Sequence, residues 1–146
     1  MDKVNARPLV YPAQSKLAFF CREAVCEFVL RNDAVPLHPF MIFGYFLSDR
    51  VDRDIVRSAN NTVVSRVDEV WVFGDTVADG VFAEIDLANR LRTPVRFFTI
   101  STRANEIVEI DASELKFEDE LIKNTGCEPS ELLEVVLGAK SLSELG

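Results

Sequence analysis

The sequence has few residues that could hold a metal ion or a disulfide, and it has no long apolar run. Three cysteines and one histidine occur among its 146 residues. Cys21, Cys26 and Cys127 are odd in number and match no metal-ligand spacing, so we expect three reduced thiols and no bound metal. No apolar run approaches the ~20 residues of a transmembrane helix, and no signal segment opens the chain. We therefore expect a cytoplasmic protein without a membrane partner.

Positive charge is scarce relative to negative charge. The chain has 16 Lys and Arg against 24 Asp and Glu, which gives a formal net charge of −8. Binding to a nucleic-acid polymer needs local Lys and Arg to neutralise phosphates, so we exclude that class of partner. Hydrophobic residues make up 48% of the chain, a fraction that excludes a disordered chain. The length predicts a core that folds without a metal or a disulfide.

Strand-like apolar runs alternate with segments of helical spacing. The pattern predicts strands, the last of them at a sheet edge, at 8–11, 34–37, 70–73, 95–100 and 106–110. It predicts three longer helices, the first capped by Ser15, at 15–31, 49–66 and 81–92. This order predicts an α/β three-layer sandwich of the Rossmann-like type, with a small parallel sheet flanked by helices. Residues 1–112 would form that domain. Residues 113–146 would form an extension packed on it, with two short helices separated at Gly126.

Ligands of such sheets bind outside the carboxyl ends of the strands. The pattern places four loops there, at 11–15, 38–44, 74–80 and 101–105. From these loops we expect six substrate-binding residues, namely Gln14, His38, Phe43, Gly74, Asp75 and Gly80. Pro12 and Gln14 are predicted to turn the chain after the first strand. Residues 40–50 are predicted to form a loop or one helical turn over a pocket.

Structural roles remain open for several of these residues. His38 lies between two prolines, where a structural hydrogen-bonding role is the alternative, and Phe43 could simply pack in the core. Glycines allow a backbone to approach a ligand closely, but Asp79-Gly80 could be only a helix cap and turn. The sequence has no Gly-x-Gly-x-x-Gly and no Gly-Lys-Ser/Thr loop. A classical dinucleotide or nucleoside triphosphate site is therefore not expected.

Glu84 is the acidic residue with the most unusual predicted position. On a helix over 81–92, apolar residues such as Ile85 and Ala88 mark one face, and Glu84 falls within it. Asp86 and Arg90 are predicted to point the other way, to solvent. Burial of an unpaired carboxylate is costly, although the helix N-terminus favours an anion. Glu84 is thus either a functional carboxylate or a buried residue that bonds the loop or pairs with an Arg.

Two segments around Glu84 carry a family pattern. One is Asp-Glu-Val-Trp-Val-Phe-Gly at 68–74, and the other is Asp-Gly-Val-Phe-Ala-Glu-Ile at 79–85, followed by Ala88 and Pro94-Val95. They resemble the nucleoside 2-deoxyribosyltransferase-like superfamily, most closely its small phage and bacterial members of unassigned function. The shared pattern is a strand, a loop, Gly-x-x-x-Glu-hydrophobic-x-x-Ala, and then Pro and a strand. The resemblance extends over residues 8–100, including Tyr11 and Pro-Leu-His-Pro at 36–39.

The resemblance implies a sugar-binding site that needs no cofactor. Characterised members attack the anomeric carbon of a deoxyribonucleoside with the Glu that matches Glu84. A carboxylate can stabilise or capture the oxocarbenium-like state at that carbon. Tyr11 would place Glu84 or the sugar, and Asp79 would be a supporting acid. We therefore expect an enzyme of the N-glycosidic bond, a deoxyribosyltransferase or a hydrolase, that acts on a nucleoside or nucleotide.

The chain departs from this pattern at two positions. Ala78 stands where characterised transferases carry Asp and related hydrolases carry Ser, and Val81 stands where Thr often follows the glycine. A second function is therefore open, that of a nucleotide-derivative-binding protein without turnover on the same scaffold. Apolar surface at 40–47 predicts a homodimer or higher homo-oligomer, and family members complete their sites across subunits. A third possibility is that the acidic tail at 114–137 docks a partner protein.

Overall fold

The computed structural model describes residues 6–44 and 50–145. Its strands, in chain order, are β1 (Leu9–Gln14), β2 (Val35–Pro36), β3 (Glu69–Phe73), β4 (Thr76–Val77), β5 (Val95–Phe98), β6 (Glu109–Ile110) and β7 (Lys116–Phe117). The main sheet has five strands in the order β2-β1-β3-β5-β6. All neighbours in it are parallel except β5 and β6, which are antiparallel. The predicted α/β sandwich with a mostly parallel sheet is confirmed.

Five α-helices accompany the strands within the described ranges. They are α1 (Arg22–Arg31), α2 (Arg53–Val64), α3 (Asp79–Arg90), α4 (Asp119–Thr125) and α5 (Pro129–Val136). Three of them, α1, α2 and α3, follow the predicted helices with shifted ends. Ser15 caps a 3₁₀ segment (Lys16–Cys21) that leads into α1, and Asp52 caps α2. The predicted start of this helix, residue 49, lies outside the described residues.

The sheet is covered on both faces, which gives the three layers. On one face, α1 buries Val25 and Val29 against Val10 and Trp71. On the other face, residues of α2, α3, α4 and α5 form a larger core with the strands, including Val64, Phe82, Leu121 and Leu132. The helices of the extension therefore pack on the same side as α3. Gly126 ends α4 in the left-handed conformation, with φ of 68°, which glycine adopts at little cost.

The first strand runs further than the sequence pattern predicted. Pro12 and Gln14 were expected to turn the chain, but both lie in β1, opposite Trp71 and Phe73 of β3. The Leu37 N–H donates to the Val10 carbonyl at 2.8 Å, so even-numbered residues of β1 direct their backbone groups towards β2. β2 ends at Pro36, opposite Val10. Pro12 therefore lies beyond the paired part of β1 and β2, where the sheet does not require its N–H.

The polar loop predicted over 74–80 also contains regular structure. Thr76–Val77 forms β4, which pairs in parallel with β7, and α3 begins at Asp79 rather than at Val81. The pairing partner lies some forty residues further along the chain, so no local pattern indicated this strand. The consequence is that the second sheet fixes the start of α3 to the C-terminal extension.

Candidate functional site

The carboxyl ends of β1 and β3 lie side by side at the switch point of the sheet, where the order of the strands along the chain reverses. The chain leaves β1 towards β2 on one side, while β3 lies on the other side. Gln14 and Phe73 are the register partners at these two strand ends. In open α/β sheets the crevice outside such a switch point is where ligands bind.

Tyr11 of β1 and Glu84 of α3 are joined between the sheet and the helix. Tyr11 lies on the face of β1 that packs against α3, and it is 1% exposed. Its hydroxyl donates a hydrogen bond to Oε2 of Glu84. Glu84 lies in the second turn of α3 and is partly exposed. The inward position of Glu84 predicted from helical spacing is therefore what the structure has, and its partner is a phenol rather than an Arg.

The surroundings of this pair favour a proton on the carboxyl group. Burial raises the pKa of Glu84 from 4.5 to about 7, and the hydrogen bond from Tyr11 opposes that rise. Burial and the neighbouring Glu84 raise the pKa of Tyr11 well above 10. Tyr11 thus remains a donor at neutral pH, and Glu84 exchanges its proton near pH 7. Such a carboxylate can act as a nucleophile or as a general base.

Gln14 and His38 form a second buried pair, at the ends of β1 and β2. Nε2 of His38 lies 2.7 Å from Oε1 of Gln14, and Nδ1 accepts from the Phe40 N–H at 3.2 Å. Nε2 therefore carries the proton. Burial, with a smaller contribution from Arg22, lowers the pKa of His38 from 6.5 to about 4. The ring is neutral and both of its nitrogens are hydrogen-bonded within the protein, which is the geometry expected for a structural role of His38.

Both hydrogen-bonding groups of the Gln14 amide are engaged within the protein. Besides bonding His38, Gln14 donates from Nε2 to the Ala18 carbonyl at 2.8 Å. It is only 7% exposed. The pair thus ties the segment after β1 to the segment after β2, which leads into a turn of π-helix, Phe40–Gly44. Phe43 lies in that turn and is partly exposed, whereas the neighbouring aromatic residues Tyr45 and Phe46 fall outside the described residues.

The predicted residues of the 74–80 segment occupy different environments. Gly74 has φ of 108°, a conformation that L side chains rarely adopt, and its N–H donates to the Phe98 carbonyl at 2.9 Å. Asp75 is exposed, and its carbonyl accepts from the Lys116 N–H at 2.7 Å. A Cβ placed on Gly80 would meet no atom within 4 Å. The backbone of Gly80 therefore faces open space at the start of α3.

Asp79 does not join Glu84. Its Oδ2 accepts a hydrogen bond from Nδ2 of Asn124 on α4 at 2.8 Å, and the residue is exposed. It lies five positions before Glu84 on the same helix, which places the two side chains about 140° apart around the axis. The supporting acid predicted at Asp79 is thus directed at the extension, away from the Tyr11–Glu84 pair.

A different acid, which sequence reasoning missed, lies at this edge of the sheet. Glu118 follows β7, and its Oε1 lies 3.4 Å from Oγ of Ser15, the residue directly after β1. The two residues are 103 positions apart. No local signal could have found this contact, because it depends on the β4–β7 pairing that brings the extension to the strand ends.

Asp86 corrects a second expectation about α3. It was predicted to face solvent, but it is 3% exposed. Its Oδ1 accepts from the Leu142 N–H at 2.8 Å, and its Oδ2 accepts from Nε of Arg90 at 3.0 Å. The C-terminal segment covers the outer face of α3, so the helical spacing alone gave the wrong environment.

Other candidate sites are few in the parts of the chain that the structure describes. There, no three His, Cys, Asp or Glu residues are grouped closely enough to hold a metal ion. All three cysteines are free thiols. No helix among residues 6–44 and 50–145 is both long and apolar enough to span a bilayer. Two surface grooves, of about 500 and 660 Å³, border α1. Both lie away from Glu84, and neither lining includes Tyr11 or Glu84.

Comparison with known proteins places the chain in a family. The model of a domain of unknown function, DUF7768, matches residues 15–98, which is more than half of the chain. The chain belongs to the DUF7768 family. The DUF7768 match includes β3, α3 and Glu84, and it ends with β5. Tyr11 and Glu118 lie outside the matched residues. No curated protein matches the chain significantly.

Proposed function

We propose that the protein acts on the N-glycosidic bond of a nucleoside or nucleotide, with Glu84 as the nucleophile. The observation that carries this proposal is the hydrogen bond from the Tyr11 hydroxyl to the Glu84 carboxylate. An isolated buried carboxylate would be a liability for folding. This one is partly exposed, is held by a donor that stays protonated, and lies on the helix that begins at the edge of the sheet where α/β proteins bind ligands.

The chemistry follows from a carboxylate held in this position. Oε1 of ionised Glu84 would attack the anomeric carbon while the bond from that carbon to the base nitrogen breaks. The bonding electron pair leaves with the base, which takes a proton from solvent water, and a glycosyl ester of Glu84 remains. Water or a second base then attacks the same carbon, and Glu84 is released as a carboxylate. Tyr11 keeps Oε2 in place throughout, and the covalent ester is the intermediate to detect.

Proton uptake by Glu84 limits the pH range of this mechanism. The attacking form is the carboxylate, and the pKa of Glu84 is raised to about 7. Base release should therefore increase as the pH rises through about 7. The Tyr11 hydroxyl favours the ionised form, so it supports the nucleophile at neutral pH as well as fixing its position.

A binding protein without turnover is the second candidate function. Ala78, at the N-cap position of α3, has no group that could protonate or orient a leaving base. Asp79 does not replace it, because its carboxylate bonds Asn124. A protein that keeps Glu84 but lacks a second acid would hold a nucleotide-like ligand and release it intact.

The two candidates differ in the fate of the ligand. Purified protein is incubated with ribonucleosides, deoxyribonucleosides and their monophosphates, and free base is measured by chromatography. The proposed enzyme releases base, and Glu84→Gln abolishes the release, while Glu120→Gln on the exposed surface of α4 does not. If the ligand is recovered intact and still raises the melting temperature of the protein, the binding function is supported and the enzymatic function is rejected. The homodimer expected from the sequence stays a prediction, to be tested by light scattering.

A further inference from the structure

Glu118 has a carboxylate that its own helix does not use. The residue occupies the N-cap position of α4, where an acidic side chain ordinarily accepts from the first N–H groups. In this structure it makes no such capping bond. Its Oε1 instead lies 3.4 Å from Oγ of Ser15, and the residue is partly buried. The side chain is therefore directed at the loop after β1 rather than along α4.

The backbone of Glu118 ties it to the start of α3 as well. Its N–H donates to the Val77 carbonyl at 3.0 Å, and Ala78 and α3 follow directly. Glu118 thus bridges the ends of the two segments that carry Tyr11 and Glu84. A ligand that extends from Glu84 to this edge of the sheet would therefore meet Glu118.

Glu118 forms no ion pair with any residue that the structure describes. Among the ion pairs of the described residues, none brings a Lys, Arg or His nitrogen within 4.0 Å of its carboxylate. Ser15 offers a hydroxyl, which leaves the carboxylate oxygens with further acceptor capacity. Such a group accepts hydrogen bonds from hydroxyl or amino donors, and it repels a phosphate.

We propose that Glu118 is a specificity-determining residue of the site, which selects unphosphorylated nucleosides over nucleoside monophosphates. Its carboxylate accepts a hydrogen bond from a hydroxyl or amino group of the nucleoside, and its charge disfavours the phosphate. This inference rests on the proposed function for the location of the ligand beside Glu84. It adds the substrate class and a residue contributed by the extension, outside the segment that the family model matches.

The test measures binding, so that it does not depend on turnover. Dissociation constants for a series of deoxyribonucleosides and their 5′-monophosphates are determined by calorimetry for the wild-type chain, Glu118→Gln, Glu118→Asp and Glu120→Gln. We expect the wild-type chain to bind at least one nucleoside about tenfold or more tightly than its monophosphate. Glu118→Gln should reduce that preference about tenfold or more. Glu118→Asp, which keeps the charge, and Glu120→Gln, which changes an exposed acid nearby, should largely preserve it.

Each outcome separates this inference from the proposed function. Preference for the monophosphate, or an unchanged preference in a folded Glu118→Gln protein, overturns the role of Glu118. If Glu118→Gln does not fold, the wild-type chain is compared with Glu118→Asp instead. A wild-type chain that does not prefer the nucleoside then overturns the role of Glu118. A preference that depends on Glu118, without base release, supports Glu118 and overturns the enzyme. Binding to neither ligand class overturns both.

Discussion

The Tyr11 hydroxyl donates a hydrogen bond to the Glu84 carboxylate across 73 positions of sequence. The bond joins β1, which lies between β2 and β3 in the sheet, to α3. It places a phenol that stays protonated against a carboxyl group whose pKa is about 7. The proposed nucleophile is thus fixed in position by the fold before any ligand binds.

Removal of the phenol should shift the pH dependence of base release. In Tyr11→Phe, Glu84 loses the hydrogen bond that lowers its pKa, so the midpoint of the profile should move upwards by about 1–2 pH units, the equivalent of a charged hydrogen bond of about 1.5–3 kcal/mol. Activity at pH 7 should decrease more than activity at pH 9. Kinetic profiles from pH 5 to 10 measure this, and an unshifted midpoint would show that the bond does not tune Glu84.

Glu84 should make the protein less stable at high pH. Its pKa is raised in the folded chain from 4.5 to about 7, so its favourable contribution is complete below pH 4.5 and is lost as the pH rises through about 7. The free energy of unfolding of Glu84→Gln, measured relative to that of the wild-type chain, should therefore increase by up to about 3 kcal/mol from pH 4.5 to pH 8. Urea unfolding at both pH values measures the change. Equal differences at the two pH values would contradict it.

His38 should act in the opposite direction. Burial lowers its pKa from 6.5 to about 4, so its contribution is complete above pH 6.5 and is lost as the pH decreases through about 4. His38→Gln should cost about 1–2 kcal/mol at pH 8, where the bond to Gln14 is lost or altered. The cost should become smaller towards pH 4. A cost that does not change with pH would show that protonation of His38 is not coupled to unfolding.

Asp86 should contribute to stability, in contrast to Asp79 on the same helix. Asp86→Ala leaves the partly buried Leu142 N–H without its acceptor, so it should cost about 1–3 kcal/mol. Asp79→Ala removes an exposed contact to Asn124 and should cost about 0.5 kcal/mol or less. Denaturant unfolding of the two variants compares them directly. Equal losses would mean that the C-terminal segment does not depend on Asp86.

Local periodicity predicted the layers of the fold and the inward position of Glu84. Helical spacing over α3 was sufficient because Ile85 and Ala88 lie on the same buried face. The buried run of β3 likewise identified a strand covered on both sides. These features depend on neighbours within one or two turns, or within one strand, and such neighbours are visible in the sequence.

Long-range contacts account for the expectations that failed. The strand β4 exists because β7 pairs with it, and Asp86 is buried because the chain returns at Leu142. Pro12 and Gln14 were assigned to a turn, but their pairing with β3 keeps both residues in the sheet. The contact between Glu118 and Ser15 was missed because it depends on the same pairing of β4 with β7. In each case the partner lies too far along the chain for a local pattern to indicate it.

Trapping of the glycosyl ester tests the central claim most directly. The wild-type chain and Glu84→Gln are incubated with deoxyribonucleosides, free base is measured, and the acid-quenched protein is digested and analysed by mass spectrometry. We predict that the wild-type chain releases base and carries a deoxyribosyl group on the peptide that contains Glu84, and that Glu84→Gln does neither. Nucleosides that bind the wild-type chain and are recovered intact, with no modified peptide, would contradict the assignment of Glu84 as a nucleophile.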